Sequence, residues 1–244
     1  MATFYWHGGN YTLDVEDTSN YSITNGDNDS PPSPPGSGDI VFLSSSYESN
    51  ALEIGTSYAD WSGVFYFGGS NIHGDVYLDV NTYGGEIYGG NFYGTVTVVS
   101  NNPVYSMISD GVFFNTVYNY GLIGGGVFYN NVYVSKTNSY TPIINGGNFY
   151  KYVSLSETSV SGSPSFLDLV EAESTSINAG LFYNTLSILS SVSIANVTFK
   201  KGSILSIPNS SGILNWSSNN IFELYSIVRI GSEELYHITA APAA

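Results

Sequence analysis

The chain has 244 residues, of which 42% are hydrophobic and only 10% are charged. Five basic residues against twenty acidic ones give a net charge of -15, so nothing in the composition favours binding to a phosphate backbone, and nucleic acid is not an expected partner. The lack of cysteine excludes disulfides, thiolate metal sites and a cysteine nucleophile. No apolar run approaches the roughly 20 residues that span a bilayer, and we expect neither membrane insertion nor a signal peptide.

Residues 1–46 are predicted to form a small β module that caps the rest of the chain or attaches it to a partner. The pieces FYWHGGNYTLDV and DIVFLSSS are rich in strand-forming residues. The run TNGDNDSPPSPPGSGD between them is predicted to be a loop or linker, because proline and glycine interrupt regular structure. Asp27 and Asp29 in this run lie near Asp14, Glu16 and Asp17 in sequence. These carboxylates either bind a cation or form a charged loop, and their spacing is not that of an EF-hand.

A nine-residue pattern recurs between residues 70 and 188. Its copies are SNIHGDVYL, GNFYGTVTV, GVFFNTVYN, GVFYNNVYV, GNFYKYVSL and GLFYNTLSI, which start at residues 70, 90, 111, 126, 147 and 180. The third and seventh positions are apolar in every copy, and the ninth is apolar except at Asn119. Since alternate residues of a strand point to the same side, the seventh and ninth positions are predicted to face one core.

The spacing of the copies predicts a stacked fold. Most copies start about 20 residues apart, which is close to one coil of a parallel β-solenoid. We therefore predict an all-β, single-stranded, right-handed parallel β-solenoid (β-helix) of roughly seven to nine coils over residues 47–206, with almost no α-helix. A β-propeller requires longer repeats and a β-sandwich lacks a nine-residue repeat, so both are less favoured.

Two segments interrupt or follow the pattern. The longest interval, between residues 147 and 180, is interpreted as a loop over Ser156 to Ser176 with an extra strand around Phe166 to Val170. Such insertions often contact a partner. Residues 207–244 are predicted to form a C-terminal cap, in which NIFELYSIVRIGSEELYHIT makes a hairpin that turns at Gly231 and Ser232, followed by a loose tail.

The fourth and eighth positions of the pattern are predicted to point outward. Apart from His73, the aromatic residues at these positions are Tyr77, Tyr93, Phe114, Tyr118, Tyr129, Tyr133, Tyr150 and Tyr183. Such a ladder of rings has three competing uses: burial against a symmetry mate or another protein, stacking on sugar rings, or stacking between coils without any partner.

Residues with catalytic or metal-binding potential are sparse. His7, His73 and His237 are far apart, and no nucleophile triad, phosphate loop or zinc motif occurs. Paired carboxylates that cleave glycans lie roughly 5 to 9.5 Å apart, whereas Asp75 and Asp79, four apart on a strand, are separated by about 13 Å. Asp110 precedes a later copy of the pattern and does not share their site. We expect no enzyme activity, no cofactor and no metal, with glycan cleavage as the open alternative.

Three short pieces of the first 45 residues resemble a leader that is common in bacteriophage virion proteins. They are Phe4-Tyr5-Trp6-His7-Gly8-Gly9, Asn20-Tyr21-Ser22 and Pro34-Pro35-Gly36-Ser37-Gly38-Asp39-Ile40-Val41-Phe42. Similar sequences occur at the start of β-helical autotransporter passengers. Tyr21 stands where the leader usually has tryptophan, and Asp39 replaces an acidic pair. The resemblance implies a tail-fibre, spike or capsid-decoration protein in the virion, an extracellular particle.

Together, the repeats and the resemblance give one main expectation about function. We expect a non-enzymatic bacteriophage structural protein that decorates the capsid or tail through a β-helical rod, contacts other virion proteins and packs as a homotrimer. The alternatives are a tail fibre or spike that binds a host receptor or cell-surface glycan, with or without polysaccharide cleavage, and a bacterial surface adhesin.

Overall fold

The computed structural model describes residues 3–6, 21–22, 40–43, 51–54, 64–73, 75–80, 85–100, 106–137, 140–208, 214–217 and 219–237. Every regular element within these ranges is a β-strand, which confirms the expected all-β class. The described part of the chain contains no helix with the length and apolar character needed to cross a membrane. The predicted loop around Asp27 and Asp29 and the C-terminal tail after residue 237 lie outside the described residues.

The strands stack in parallel into a β-solenoid of about seven turns, which confirms the predicted fold. A complete turn contributes one strand to each of three faces, named here the isoleucine, phenylalanine and valine faces after their inward side chains. The isoleucine face contains β1 (Thr3–Trp6), β2 (Tyr21–Ser22), β3 (Ile40–Leu43), β9 (Ser106–Ile108), β12 (Leu122–Ile123), β15 (Ile143–Ile144), β18 (Ser159–Val160), β21 (Ser176–Ile177), β24 (Val192–Ile194) and β27 (Leu214–Trp216). The phenylalanine face contains β10 (Val112–Phe113), β13 (Val127–Phe128), β16 (Asn148–Phe149), β19 (Ser165–Phe166), β22 (Gly180–Phe182), β25 (Val197–Phe199) and β28 (Ile221–Phe222).

The remaining strands complete the solenoid. The valine face contains β4 (Ala51–Ile54), β6 (Asp75–Val80), β8 (Val96–Ser100), β11 (Val117–Asn119), β14 (Val132–Ser135), β17 (Val153–Ser156), β20 (Val170–Glu173), β23 (Thr185–Ile188), β26 (Ile204–Ile207), β29 (Ile227–Ile230) and β30 (Glu233–His237). Two longer strands, β5 (Val64–Ile72) and β7 (Gly85–Phe92), run through both the isoleucine and the phenylalanine face.

Equivalent residues of successive coils lie directly above one another. Phe113, for example, pairs in register with Phe92 on one side and Phe128 on the other. The inward rings of this face form one column with centroid separations of 4.5 to 5.7 Å. It is made by the buried Phe92, Phe113, Phe128, Phe149, Phe166, Phe182 and Phe199 and ends at the partly buried Phe222. Because one coil cannot bury its own core residues, this stacking is what makes the fold stable.

The corner between the phenylalanine and valine faces is shaped by short polar side chains. The side-chain oxygens of Asn115, Asn130 and Asp168 each accept a hydrogen bond from the backbone N–H of the next residue, at 2.8, 2.8 and 2.9 Å. Asn and Asp favour such turns because the side chain replaces a backbone partner. This explains why asparagine stands at the fifth position of the pattern in the copies that start at residues 111 and 126.

The prediction of a loop over Ser156 to Ser176 is wrong. That segment is a regular coil, in which β18, β19 and β20 occupy the three faces in turn. Phe166 pairs with Phe149 and Phe182 and belongs to the buried phenylalanine column. The nine-residue pattern missed this coil because Pro164 stands where five of the six copies have glycine and Leu167 follows the phenylalanine in place of an aromatic residue.

One antiparallel strand pair lies near each end of the described part of the chain. Near the N-terminus β2 pairs antiparallel with β1, and at the C-terminus β30 pairs antiparallel with β29. The predicted hairpin is thereby confirmed, with its turn at Gly231 and Ser232.

Parallel pairing crosses the predicted boundaries at residues 46 and 206 without a break, since β3 pairs with β5 and β26 with β29. The division into three functional segments stays a prediction.

Candidate interaction surface

A column of exposed rings runs along the corner between the phenylalanine and valine faces. It consists of His73, Tyr93, Phe114, Tyr129 and Tyr150, with centroid separations of 4.7, 4.7, 5.4 and 4.9 Å and angles between the ring planes of 7, 8, 15 and 29°. Backbone hydrogen bonds from Tyr93, Phe114, Tyr129 and Tyr150 to the preceding coil fix the spacing of the rings. We call this column the aromatic ridge. The outward ladder predicted from the fourth pattern position is therefore present over these coils.

The geometry of the aromatic ridge limits what it can bind. Each internal ring lies between two neighbours, so its faces are covered and mainly its edge meets solvent. From Tyr93 to Tyr150 the residues are nevertheless 40 to 45% exposed. A sugar that stacks on an aromatic residue requires a free ring face, whereas a protein surface can pack against a row of ring edges and hydroxyls. The arrangement favours a protein partner or simple stacking between coils over sugar stacking.

Tyr183 is separated from the ridge by one coil. Backbone hydrogen bonds place Leu167 above Tyr150 and Tyr183 above Leu167, so the aromatic row is broken there. The row then continues with Lys200 and Glu223. Tyr183 is exposed to the same degree as the ridge residues but has no ring in the adjacent position. The predicted site is thus continuous only from His73 to Tyr150.

The second predicted row, on the valine face, is shorter than expected. Tyr118 and Tyr133 stack at 5.1 Å, but Thr97 and Ser154 occupy the equivalent positions on either side. The backbone of Tyr77 pairs with Thr97, and its side chain lies outside the described residues. This row is therefore a pair of rings and not a ladder.

Tyr152 contacts both the tyrosine pair and Glu171 of the next coil. Its ring meets Tyr133 edge-on at 5.8 Å, and its hydroxyl donates a 2.7 Å hydrogen bond to Glu171. Burial, together with that hydrogen bond, raises the pKa of Tyr152 above its ordinary value. Tyr152 therefore stays neutral and acts as a donor at neutral pH.

The carboxylates considered as candidates for glycan cleavage accept backbone hydrogen bonds at the turns between strands. An Asp75 oxygen accepts a 2.7 Å hydrogen bond from the backbone of Thr95, one coil further on, and an Asp110 oxygen accepts one from Gly111 at 2.8 Å. The side chain of Asp79 lies outside the described residues. Among the described residues, no three His, Cys, Asp or Glu side chains form a group suited to a metal ion.

Lys200 and Glu223 form an ion pair at 2.6 Å near the C-terminal end. The hydrogen bond from Lys200 lowers the pKa of Glu223 below its ordinary value of 4.5, and the same contact raises the pKa of Lys200 above 10.5. The pair therefore stabilises the fold at pH values between 4.5 and 10.5. Its contribution is lost as the pH falls through the lowered pKa of Glu223 or rises through the raised pKa of Lys200.

We expect the difference in melting temperature between the wild type and Glu223→Gln to depend on pH in the way that this pair dictates. Thermal melts of both proteins should differ most near neutral pH, and the difference should shrink as the pH falls below 4.5. The matched control is Glu157→Gln, which removes the ion pair between Lys136 and Glu157. Their charged atoms lie 3.3 Å apart, and this pair is more exposed than that of Lys200 and Glu223, so the effect should be smaller. An equal difference at all pH values would contradict the assignment.

A second apolar surface was not predicted from the repeat pattern. On the isoleucine face, Met107, Leu122 and Ile143 stand in register on successive coils, and each precedes a fully buried isoleucine. Since neighbouring residues of a strand point to opposite sides, these three side chains face outward, where they are partly exposed. We call them the aliphatic flank. Consecutive apolar residues such as Leu122-Ile123 are the signal that could have revealed it.

Three comparisons test whether this chain is similar to known proteins. No protein-family model, no curated protein and no solved structure matches it.

Proposed function

We propose that this chain is a non-enzymatic structural protein of a bacteriophage virion, a β-helical rod whose aromatic ridge is a protein contact. The observation that carries the proposal is the row of exposed rings from Tyr93 to Tyr150, which lie edge-outward on a stacked solenoid. Soluble monomers rarely expose long apolar surfaces without a partner. The N-terminal leader, which resembles that of virion proteins, supports placing this contact in a phage particle.

The rod architecture suits a role in a particle. Its core is continuous along the axis, and every internal coil is hydrogen-bonded to the coils on both sides. Such a stack resists local opening and proteolysis, because a coil is released only when the contacts with both neighbours are lost. The negative charge of -15 keeps the rod soluble before assembly.

The experiment that tests the proposal is quantitative mass spectrometry of purified phage-like particles from the source. We expect the chain to copurify with the major capsid protein. A copy number in the hundreds would place it on the capsid, and a few to a few dozen copies would place it on the tail or a vertex. Its absence from the particles would overturn the proposal.

Replacing Tyr129 by alanine tests whether the aromatic ridge is a contact surface. Tyr129 stacks on Phe114 and Tyr150, so the loss of these contacts should lower the free energy of unfolding by only about 1–2 kcal/mol. Incorporation into particles should fall at least about tenfold, as for a central interface residue. Urea denaturation and the copy number per particle measure the two effects.

The matched control for Tyr129→Ala is Tyr183→Ala. Both residues are tyrosines, 45% exposed and at the same position of their coils, but only Tyr129 belongs to the ridge. Normal incorporation of Tyr129→Ala would show that the ridge only stacks coils together. An equal loss for both variants would point to a general effect of surface tyrosines.

A glycan-binding or glycan-cleaving spike is the second candidate. The observation that favours it is that Glu171 and Glu173 are two residues apart on β20 and so lie on one side of the valine face. Their Cα atoms are about 7 Å apart, a spacing comparable with the carboxyl separation in glycosidases. This candidate predicts affinity for, or reducing-end release from, a host polysaccharide, with loss in Glu171→Gln. A protein inactive toward a broad glycan panel would remove it.

A further inference from the structure

Three tyrosines on successive coils form a cluster beside a carboxylate on the valine face. Tyr118 stacks on Tyr133 at 5.1 Å, and Tyr133 meets Tyr152 edge-on at 5.8 Å. The hydroxyl of Tyr152 donates a 2.7 Å hydrogen bond to Glu171 of the following coil. We call these three rings the tyrosine cluster. It shares no residue with the aromatic ridge, so the proposed protein contact does not account for it.

The contact with Glu171 makes Tyr152 easier to oxidise by one electron than a tyrosine that faces only water. A phenol that loses an electron becomes a strong acid, so its hydroxyl proton must leave in the same step. A carboxylate within hydrogen-bond distance takes up this proton directly, and Glu171 meets that condition. Burial, together with the hydrogen bond to Glu171, raises the pKa of Tyr152, so the phenol keeps its proton until the electron leaves.

Tyr133 is positioned to react with the radical that forms on Tyr152. The two residues lie on adjacent coils, whose register is fixed by the backbone pairing of β14 with β17. Their rings already meet edge-on, so rotation about the side-chain torsions, and not a change of fold, brings the two ring edges together. Reacting groups that are held in contact couple far faster than groups that must diffuse together.

From this geometry we propose that Tyr133 and Tyr152 are an oxidative cross-linking site, at which a peroxidase-type oxidant joins two coils through a dityrosine bond. Each phenol gives one electron to the oxidant and loses its hydroxyl proton, which Glu171 accepts from Tyr152 and water accepts from Tyr133. A carbon–carbon bond then forms between one Cε atom of each ring, and the hydrogens on these two carbons move through water to the phenolic oxygens. The two electrons and two protons reduce one hydrogen peroxide to two waters, so the chain loses two hydrogen atoms.

The product joins two coils that are otherwise held by hydrogen bonds and side-chain packing. A covalent link between residues 133 and 152 closes a loop in the unfolded chain, as a disulfide does, and so reduces the entropy gained on unfolding. We expect the oxidised rod to unfold at a higher urea concentration than the unoxidised one. This inference goes beyond the proposed function and holds for any partner of the aromatic ridge.

The test treats the purified full chain with a peroxidase and hydrogen peroxide, followed by trypsin and mass spectrometry. The lysines separate the possible products, because Tyr133 lies in the tryptic peptide 1–136 and Tyr152 in the peptide 152–200. We expect these two peptides to be joined, with the loss of two hydrogen atoms and the appearance of dityrosine fluorescence.

Two tyrosine variants identify the reacting residue. Tyr152→Phe, which keeps the ring but lacks the hydroxyl, should lower the yield of this product at least about tenfold. The matched control is Tyr183→Phe, because Tyr183 lies in the same tryptic peptide but has no ring in the adjacent position. This control should keep the full yield.

Glu171→Gln tests the proton acceptor. A glutamine oxygen still accepts the hydrogen bond from Tyr152 but does not take up its proton at neutral pH. We expect the product to form at least about tenfold more slowly, with an unchanged melting temperature. Glu173→Gln is the matched control, since Glu173 lies on the same strand, on the same side, and should leave the rate unchanged.

Three results would overturn the assignment. The first is a main product that joins the peptides 1–136 and 137–151, which carry the stacked ridge residues Tyr129 and Tyr150. The second is an equal rate for the wild type and Glu171→Gln, and the third is linkage only between separate chains. All these measurements use the chain without particles, so a failure of the proposed function is detected separately.

Discussion

Replacing Phe149 by alanine is expected to lower the free energy of unfolding by about 3–5 kcal/mol. Phe149 is fully buried near the middle of the phenylalanine column, and its ring stacks on Phe128 at 4.7 Å and on Phe166 at 5.1 Å. Removing the ring leaves a cavity inside the stack, because the coils on either side are held in register by backbone hydrogen bonds and cannot close over it. Urea denaturation followed by circular dichroism measures the loss.

Tyr150→Ala is the control for this effect. Tyr150 directly follows Phe149 and also stacks on a neighbouring coil, but its side chain is exposed. We expect its replacement to lower the free energy of unfolding by about 1 kcal/mol. If the two variants were equally stable, the inward phenylalanines would not be the main source of stability.

Gly162→Ala is expected to destabilise the protein by about 2–5 kcal/mol, from backbone strain and steric overlap together. Gly162 has a φ of +67°, and a Cβ atom there would lie 1.9 Å from the carbonyl oxygen of Asn145 on the preceding coil. Because backbone atoms make this contact, the two coils have to move apart. Thermal and urea denaturation of the variant measure the effect.

Gly202→Ala separates the overlap from the backbone strain. Gly202 also has a positive φ, +78°, but a Cβ atom there would have no neighbour within 4 Å. We expect this control to lower the free energy of unfolding by only about 1–2 kcal/mol, the strain of a left-handed residue. Equal effects of the two variants would mean that the segment around Gly162 is not packed against the coil before it.

The aromatic ridge shows how the local pattern predicted a surface and where it failed. The fourth pattern position correctly predicted outward rings from Tyr93 to Tyr150, because a residue that follows a buried phenylalanine must point away from the core. It also grouped Tyr183 with them. The intervening coil of Phe166 lacks both the glycine and the aromatic residue of the pattern, so its place in the stack was visible only from the pairing of β19 with β16 and β22.

The class of fold, the solenoid, the buried positions and the C-terminal hairpin were predictable from the amino-acid sequence. These properties follow from the alternation of apolar and polar residues within one strand, which is local, and from a repeat close to the length of one coil, which is periodic. Both are visible in the sequence without knowledge of the fold. The predicted strands likewise agree with the structure: FYWHGGNYTLDV overlaps β1 and DIVFLSSS contains β3.

Which outward residues share a surface could be read only from the stacking of the coils. Met107, Leu122 and Ile143 lie 15 and 21 residues apart along the chain, and unequal coil lengths hide the fact that they stand in one row. The same stacking places the segment that was predicted to be a loop, Ser156 to Ser176, in a regular coil of the rod. Coil length varies because corners tolerate insertions, whereas the register between coils is fixed by the core, so the contact surface is set by stacking and not by spacing in the sequence.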